Sequence, residues 1–223
     1  MDEIQAMREK ITQIGRMVFD RQLTDAAGGN ISVRVGDRIC ITPRYAGQKH
    51  QWQLDPGQVL VCDLEGNKLD GDGDVSREGK VHVRLYRDFP DGTAVVHCHP
   101  RNVLVFCALG EPIVPVLEAT WKFGEVKVVA YAPAHSQQLA DSISAALQGQ
   151  EARIRKQAAA VIARWHGLFV LGKDLDAAFD AAERIDVNAR IILMSGTVLN
   201  GGANLARERS AALAAELELW EKK

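Results

Sequence analysis

The stretch AVVHCHPRN, residues 94–102, sets two imidazoles one residue apart at the end of an apolar, β-branched run. On an extended strand the side chains at i and i+2 point the same way, so His97 and His99 share a face while Cys98 turns to the other. Two imidazoles on one face are two of the three protein ligands that a catalytic zinc ion takes before leaving its fourth position open. His166 is placed to be the third. It stands in AAAVIARWHGLFVLGKD, where two apolar runs meet at Trp165-His166-Gly167 and the glycine lets the chain reverse tightly. Alone, an HxH pair is more often the hydrogen-bonded polar end of a strand than a pair of ligands. His50 in a polar loop, His82 in the middle of a helix and His135 at the start of one suggest less.

Glu78 extends the pattern. In SREGKVHVRLYRDF it falls in the first turn of a helix that opens on Ser76, with His82 one turn later on the same face. The plain reading is a glutamate that favours the positive end of the helix dipole. Beside three metal-binding histidines it acquires a second reading. Proton abstraction next to a carbonyl needs a metal to polarise the carbonyl and stabilise the enolate, and a carboxylate to move the proton. A further element is AAGGNISVR with ITPR, where Gly28 and Gly29 allow close backbone approach and exposed amides form an anion-binding nest. A glycine-rich turn ahead of a hairpin is also simply a turn.

The elements that must position these residues follow from periodicity. Ile4, Met7, Ile11, Ile14 and Met17 recur at helical steps, giving an amphipathic helix over the first twenty or so residues that packs on a sheet. NISVRVGDRICITP and QVLVCDLEGNKLDG alternate about Gly-Asp and Glu-Gly-Asn turns and predict two hairpins. A helix from Ser76, the strand carrying His97, and a helix from Pro100 to Gly110 come next. IVPVL and EVKVVAYA predict two more strands, SQQLADSISAALQG a helix, and AAAVIARWHGLFVLGKD a hairpin. Leu175 to Met194 and Ala203 to Trp220 are helical. With no repeat, low-complexity tract or linker, residues 1–223 form a single α/β domain whose central sheet is mostly antiparallel.

Composition narrows the partners. At 47% hydrophobic the chain has apolar material for one sizeable core, and a net charge of -2 without Lys/Arg runs gives no footprint for nucleic acid or an anionic membrane. No segment approaches transmembrane length, and the charged MDEIQAMREKITQIG is no secretory signal, so the expectation is a cytoplasmic protein. Cys40, Cys62, Cys98 and Cys107 lack CxxC spacing and read as reduced, buried thiols without chemistry.

Assembled in order, GGNISVR, ITP, SREGKVH, AVVHCHPRN and WHGLFVLGKDLDAAF resemble the class II aldolase/adducin family over roughly residues 5 to 195. Its enzymes include L-fuculose-phosphate aldolase and L-ribulose-5-phosphate 4-epimerase. The resemblance implies a central, largely antiparallel sheet between helical layers, and a homotetramer with active sites at subunit interfaces. It implies zinc on His97, His99 and His166, a donor set that also accepts Mn²⁺, Co²⁺ or Fe²⁺. Glu78 becomes the catalytic acid/base that also approaches the metal in the resting site. The implied activity is a zinc-dependent lyase that cleaves a ketose or ketose phosphate by a retro-aldol reaction through a zinc-stabilised enediolate.

The chain departs from the aldolase pattern where substrate phosphate is held by TxGN, TP[TS]G and SSE. The matching stretches read Ala27-Gly28-Gly29-Asn30, Thr42-Pro43-Arg44-Tyr45 and Ser76-Arg77-Glu78, so Gly28, Gly29, Asn30, Thr42, Arg44, Ser76 and Arg77 are the implied substrate residues. Two hydroxyls have become arginines, which bind carboxylate as well as phosphate, so a small anionic or polyhydroxy substrate is expected. Solvated surface charge is the competing reading of both. The tyrosine that donates a proton in fuculose-phosphate aldolase is missing, with Glu118 and Tyr131 as substitutes. Decarboxylation, epimerisation or dehydration through the same metal enolate is the alternative activity, the arginines slightly favouring decarboxylation. A non-catalytic scaffold like the adducin head is a second alternative, against which the intact His97, His99, His166 and Glu78 argue.

Overall fold

Alternating side chains and glycine turns produce one eight-stranded sheet of order β4-β3-β2-β1-β5-β8-β7-β6 in the computed structural model, which describes residues 3–199 and 202–221. The strands are β1 (Asn30–Val35), β2 (Arg38–Ile41), β3 (Leu60–Cys62), β4 (Lys68–Asp70), β5 (Ala94–Cys98), β6 (Lys127–Val129), β7 (Ala158–Ala163) and β8 (Gly167–Gly172). Every neighbouring pair is antiparallel except β6 and β7, which run parallel. The hairpins expected around residues 36–37, 65–67 and 165–167 are β1–β2, β3–β4 and β7–β8. Met1 and Asp2 of the first helix lie outside the described residues.

The helices are α1 (Glu3–Asp20), α2 (Ala46–His50), α3 (Gly79–Asp88), α4 (Arg101–Leu109), α5 (Glu118–Trp121), α6 (Gln137–Leu147), α7 (Glu151–Lys156), α8 (Leu175–Leu199) and α9 (Gly202–Glu221). They cover the sheet on both faces. Ile11, Ile14 and Val18 of α1, Val103 of α4, and Ala178 and Ile185 of α8 join Ile31, Val33, Val96 and Val170 in one core. Val81 and Leu85 of α3 and Leu139 and Ile143 of α6 join Val95, Phe169 and Leu171 in a second core on the opposite face. The period-2 alternation of β5 divides it between the two, Val96 and Cys98 to one and Val95 to the other.

Several expectations give way. IVPVL forms no strand, because Pro112 and Pro115 lack the N–H a ladder needs, and only an isolated bridge joins Ile113 to Val126. EVKVVAYA shortens to the three residues of β6, and the short helices α2, α5 and α7 have no clear periodic signal in the sequence. α3 opens at Gly79, not Ser76, which puts Glu78 at its N-cap rather than in its first turn. His50 closes α2, and His135 precedes α6, whose N-cap is Ser136. The four cysteines are buried and form no disulfide; burial pushes Cys62 up to about 11 and Cys107 up to about 12. Among the described residues no helix is long and apolar enough to cross a membrane.

Candidate metal and catalytic site

The end of β5 and the β7–β8 turn bring His97, His99 and His166 together, their ligand atoms all within 4.8 Å of one another. Antiparallel register sets this meeting. His97 stands opposite Phe169 of β8, with its ring stacked on that ring at 4.0 Å between centroids, and His166 occupies the turn just before β8. Glycine makes the room for His99. A Cβ on Gly28 would lie 2.0 Å from His99 Nδ1, and one on Gly167 would lie 2.6 Å from His99 Cδ2. These two glycines are therefore required by a side chain of the site itself.

Backbone partners orient the imidazoles. His97 Nδ1 is 2.9 Å from the Leu168 carbonyl oxygen, which can only accept, so Nδ1 carries the proton and the Nε2 lone pair faces inward. His99 Nδ1 lies 3.5 Å from Asp25 Oδ2, an outer carboxylate behind a candidate ligand. Burial would raise the Asp25 carboxyl, but the Ala27 and Gly28 amides and His99 hold it below the usual value. Those same two amides donate to Asp25 Oδ1 at 2.9 and 2.6 Å, so they are engaged within the turn. Burial first, then the neighbouring His97 and His166, pushes His99 down to about 4, leaving it neutral as a ligand must be.

Glu78 completes the cluster from the start of α3. At φ -90, ψ 1 it makes no side-chain cap to its helix, so the carboxylate is available elsewhere. It is 5% exposed, with Oε2 3.0 Å from His97 Nε2 and Oε1 3.0 Å from His166 Nε2. Burial alone would raise its carboxyl, yet His97 and His166 hold it well below the usual carboxylate range.

His97 Nε2, His99 Nε2 and Glu78 Oε1 are all buried without a hydrogen-bond partner. Leaving one such group unpaired costs roughly 1–3 kcal/mol, and here a carboxylate also faces an imidazole lone pair. Clustered unpaired donors of this kind fit a divalent cation. Such an ion would be held by His97, His99 and His166 with Glu78 beside it.

The cluster opens on a cavity of about 150 Å³ whose other walls are turns. Gly28, Gly29, Asn30, Ser76, Arg77 and Arg44 all line it. Thr42 does not: fully buried, its hydroxyl accepts the Ile31 N–H at 3.0 Å and ties the chain after β2 to β1. Arg44 lies over the Tyr45 ring at 4.5 Å, and its buried Nε has no hydrogen-bond partner. Glu118 and Tyr131 do not line the cavity; Tyr131 is exposed and rests on Trp165 at 5.4 Å.

His135, which the sequence marks only as the start of a helix, lines the cavity with Nδ1 3.7 Å from Glu78 Oε1. Its φ of 68 is left-handed, a conformation that non-glycine residues adopt at a cost and often near functional sites. The N-cap serine just after it is the signal that places it ahead of the helix. Asp25 is a second residue that sequence reasoning misses, although an acid three residues before a glycine pair marks an Asx turn.

Comparison with known proteins agrees with this architecture. Residues 9–193 match the Class II Aldolase and Adducin N-terminal domain. The 3-oxo-tetronate 4-phosphate decarboxylase of Haemophilus influenzae is 30% identical over 196 residues, covering 83% of this chain and 86% of that protein. The L-fuculose phosphate aldolase of Methanococcus maripaludis is 28% identical over 180 residues, 80% of this chain and 92% of that protein. A solved L-fuculose 1-phosphate aldolase shares the fold at a TM-score of 0.75 and 22% identity, covering 93% of this chain and 95% of that one. The chain belongs to the class II aldolase/adducin family. Its relatives include enzymes named as aldolases and an enzyme named as a decarboxylase.

Proposed function

We infer that the protein is a metal-dependent lyase that cleaves a ketose or ketose phosphate by a retro-aldol reaction, with zinc as the ion. The observation that carries this reading is Glu78, a buried carboxylate 3.0 Å from two imidazole nitrogens of a three-histidine cluster. A divalent ion on His97, His99 and His166 supplies Lewis-acid polarisation of a substrate carbonyl. Glu78 takes the hydroxyl proton as the carbon–carbon bond breaks, and returns a proton to the carbon left with the electron pair. Arg44 and Arg77 hold the anionic end of the substrate in bidentate fashion, with Gly29 and Ser76 shaping the wall. Residues 1–223 act as one unit, in the cytoplasm, as a homotetramer with sites at subunit interfaces.

Decarboxylation of a β-keto acid by the same residues is the second reading. It is favoured by the arginine pair and by the name of the Haemophilus influenzae relative. Metal analysis of untagged protein should find one divalent ion per chain; metal-free, correctly folded protein would remove the reading. Assaying aldol cleavage and carbon dioxide release side by side on phosphorylated and non-phosphorylated ketoses and keto acids then separates the two reactions. Aldehyde without carbon dioxide supports the first, and the reverse supports the second.

A further inference from the structure

Behind Glu78, running from Asn30 at the cavity wall into the interior, lies a buried chain of polar groups that the proposed chemistry does not use. Glu78, His82 and Tyr86 are spaced four apart, so they form one stripe of α3. That stripe lies over Asn30 and Ser32, which are two apart on β1 and therefore on one face of the sheet. Asn30 Nδ2 donates to Glu78 Oε2 at 3.1 Å and to Ser76 Oγ at 3.3 Å. Asn30 Oδ1 is hydrogen-bonded to His82 Nε2, His82 Nδ1 lies 2.5 Å from Ser32 Oγ, and Ser32 Oγ lies 2.7 Å from the Tyr86 hydroxyl.

Chemistry forces the directions. An ionised carboxylate only accepts, so the Asn30 amide must turn its NH₂ toward Glu78 and its oxygen toward His82. That oxygen also only accepts, so His82 carries its proton on Nε2 and its Nδ1 accepts the Ser32 hydroxyl. Ser32 in turn accepts from Tyr86. His82 and Ser32 are fully buried and Asn30 and Tyr86 nearly so, and groups buried to this degree take their partners from within the protein.

We propose that Asn30, His82, Ser32 and Tyr86 are positioning residues that clamp Glu78 Oε2 and so hold Oε1 toward His166 and His135. Asn30 thereby acts through Glu78 rather than by binding substrate. The clamp rests on the lyase reading only for its kinetic consequence; its geometry can be tested without turnover.

The decisive variants are His82→Leu, which removes the donor to Asn30 while keeping the volume, and His82→Gln, whose Nε2 can donate again. Loss of such an outer partner typically lowers activity by about 10- to 100-fold. His82→Leu should lose at least about tenfold in kcat at native KM and native metal content, and His82→Gln should recover most of it. Native kcat per folded, metal-loaded chain in His82→Leu, a change in KM alone, or no recovery in His82→Gln would overturn the proposal. Should His82→Leu not fold, Tyr86→Phe and Ser32→Ala carry the same comparison with losses of a few-fold. Nitrogen-15 NMR of the resting protein tests the same geometry without substrate. His82 should be the Nε2–H tautomer, and the Asn30 side-chain amide should move when His82 is replaced. An Nδ1–H tautomer would overturn the clamp even if the lyase reading stands, whereas a native protein inactive on every substrate would sink the lyase reading alone.

Discussion

The two walls of the cavity are built differently. The histidine wall is anchored on strands: His97 in β5 is 1% exposed, stacked on Phe169 and tied to a strand carbonyl, while His99 directly follows β5 and His166 sits in the tight turn that leads into β8. The opposite wall is made mainly of turns: Ala27 to Gly29, Pro43 to Tyr45, Ser76 with Arg77, and His135 just before α6. Tyr45 and His135 there hold left-handed backbone, and Arg44 has a buried, unpaired nitrogen. A sheet fixes direction to within its register, whereas turns accept substitution without disturbing a ladder. The division suggests that metal chemistry is held on the rigid wall and substrate choice on the variable one. The departures from the aldolase pattern at Ala27, Arg44 and Arg77 all fall on the second wall.

The harshest test of that division is His97→Ala. It removes a candidate ligand and leaves Glu78 buried beside the remaining imidazoles, so both bound metal and turnover should fall below detection. Retention of stoichiometric metal by elemental analysis would show that the ion is not held where the strands converge. Gly28→Ala comes next, because it attacks the histidine wall from the turn-built one. Its Cβ would meet His99 at 2.0 Å, so His99 or the turn must move, and metal affinity should drop by about tenfold or more. Gly57→Ala, with nothing within 4 Å of its Cβ, is the matched control and should bind metal normally.

Arg44→Ala and Arg77→Ala should have smaller, different effects. Each removes a guanidinium from the turn wall, so KM for an anionic substrate should rise by about tenfold, near 1.4 kcal/mol of binding. Metal content should stay native. If either substitution instead strips the metal, the two walls are not separable.

The histidine wall is the more legible part of the sequence, for the reason that makes it rigid. Strand alternation is local, so HxH on an apolar run announces its own geometry, and Trp-His-Gly between two apolar runs announces a hairpin. Glu78 is legible too, but its helix begins three residues later than Ser76 suggests, because the N-cap is the glutamate itself. What escapes depends on tertiary approach. The positive φ of His135, the use of the Ala27 and Gly28 amides by Asp25, and the burial of Thr42 behind the cavity leave no periodic trace. The parallel pairing of β6 is hidden as well, since three residues alternate too briefly to reveal a partner. In sequence His82 is an interior helix residue, which it is; only the fold shows that its stripe meets Asn30 and Ser32 on β1.

The gentlest test uses acid rather than substitution at the site. Burial, followed by the neighbouring His97 and opposed by Glu78, pushes His82 down to about 3 from the ordinary 6.5. The unfolded chain therefore binds a proton at His82 between those values and the folded chain does not. Stability rises with pH wherever the unfolded state holds more protons, so it must fall as pH drops below about 6.5, at roughly 1.4 kcal/mol per pH unit for one such group. At pH 5 the His82 share is about 2 kcal/mol relative to pH 7. His99, pushed down to about 4, adds a parallel share in metal-free protein. Denaturant melts of metal-free protein between pH 7 and 5 should show this slope, and in His82→Gln its His82 part should vanish while the His99 part stays. An unchanged slope in His82→Gln would mean that His82 is not held neutral behind Glu78, and the strand-built wall would lose the buried support that sets it apart from the turns.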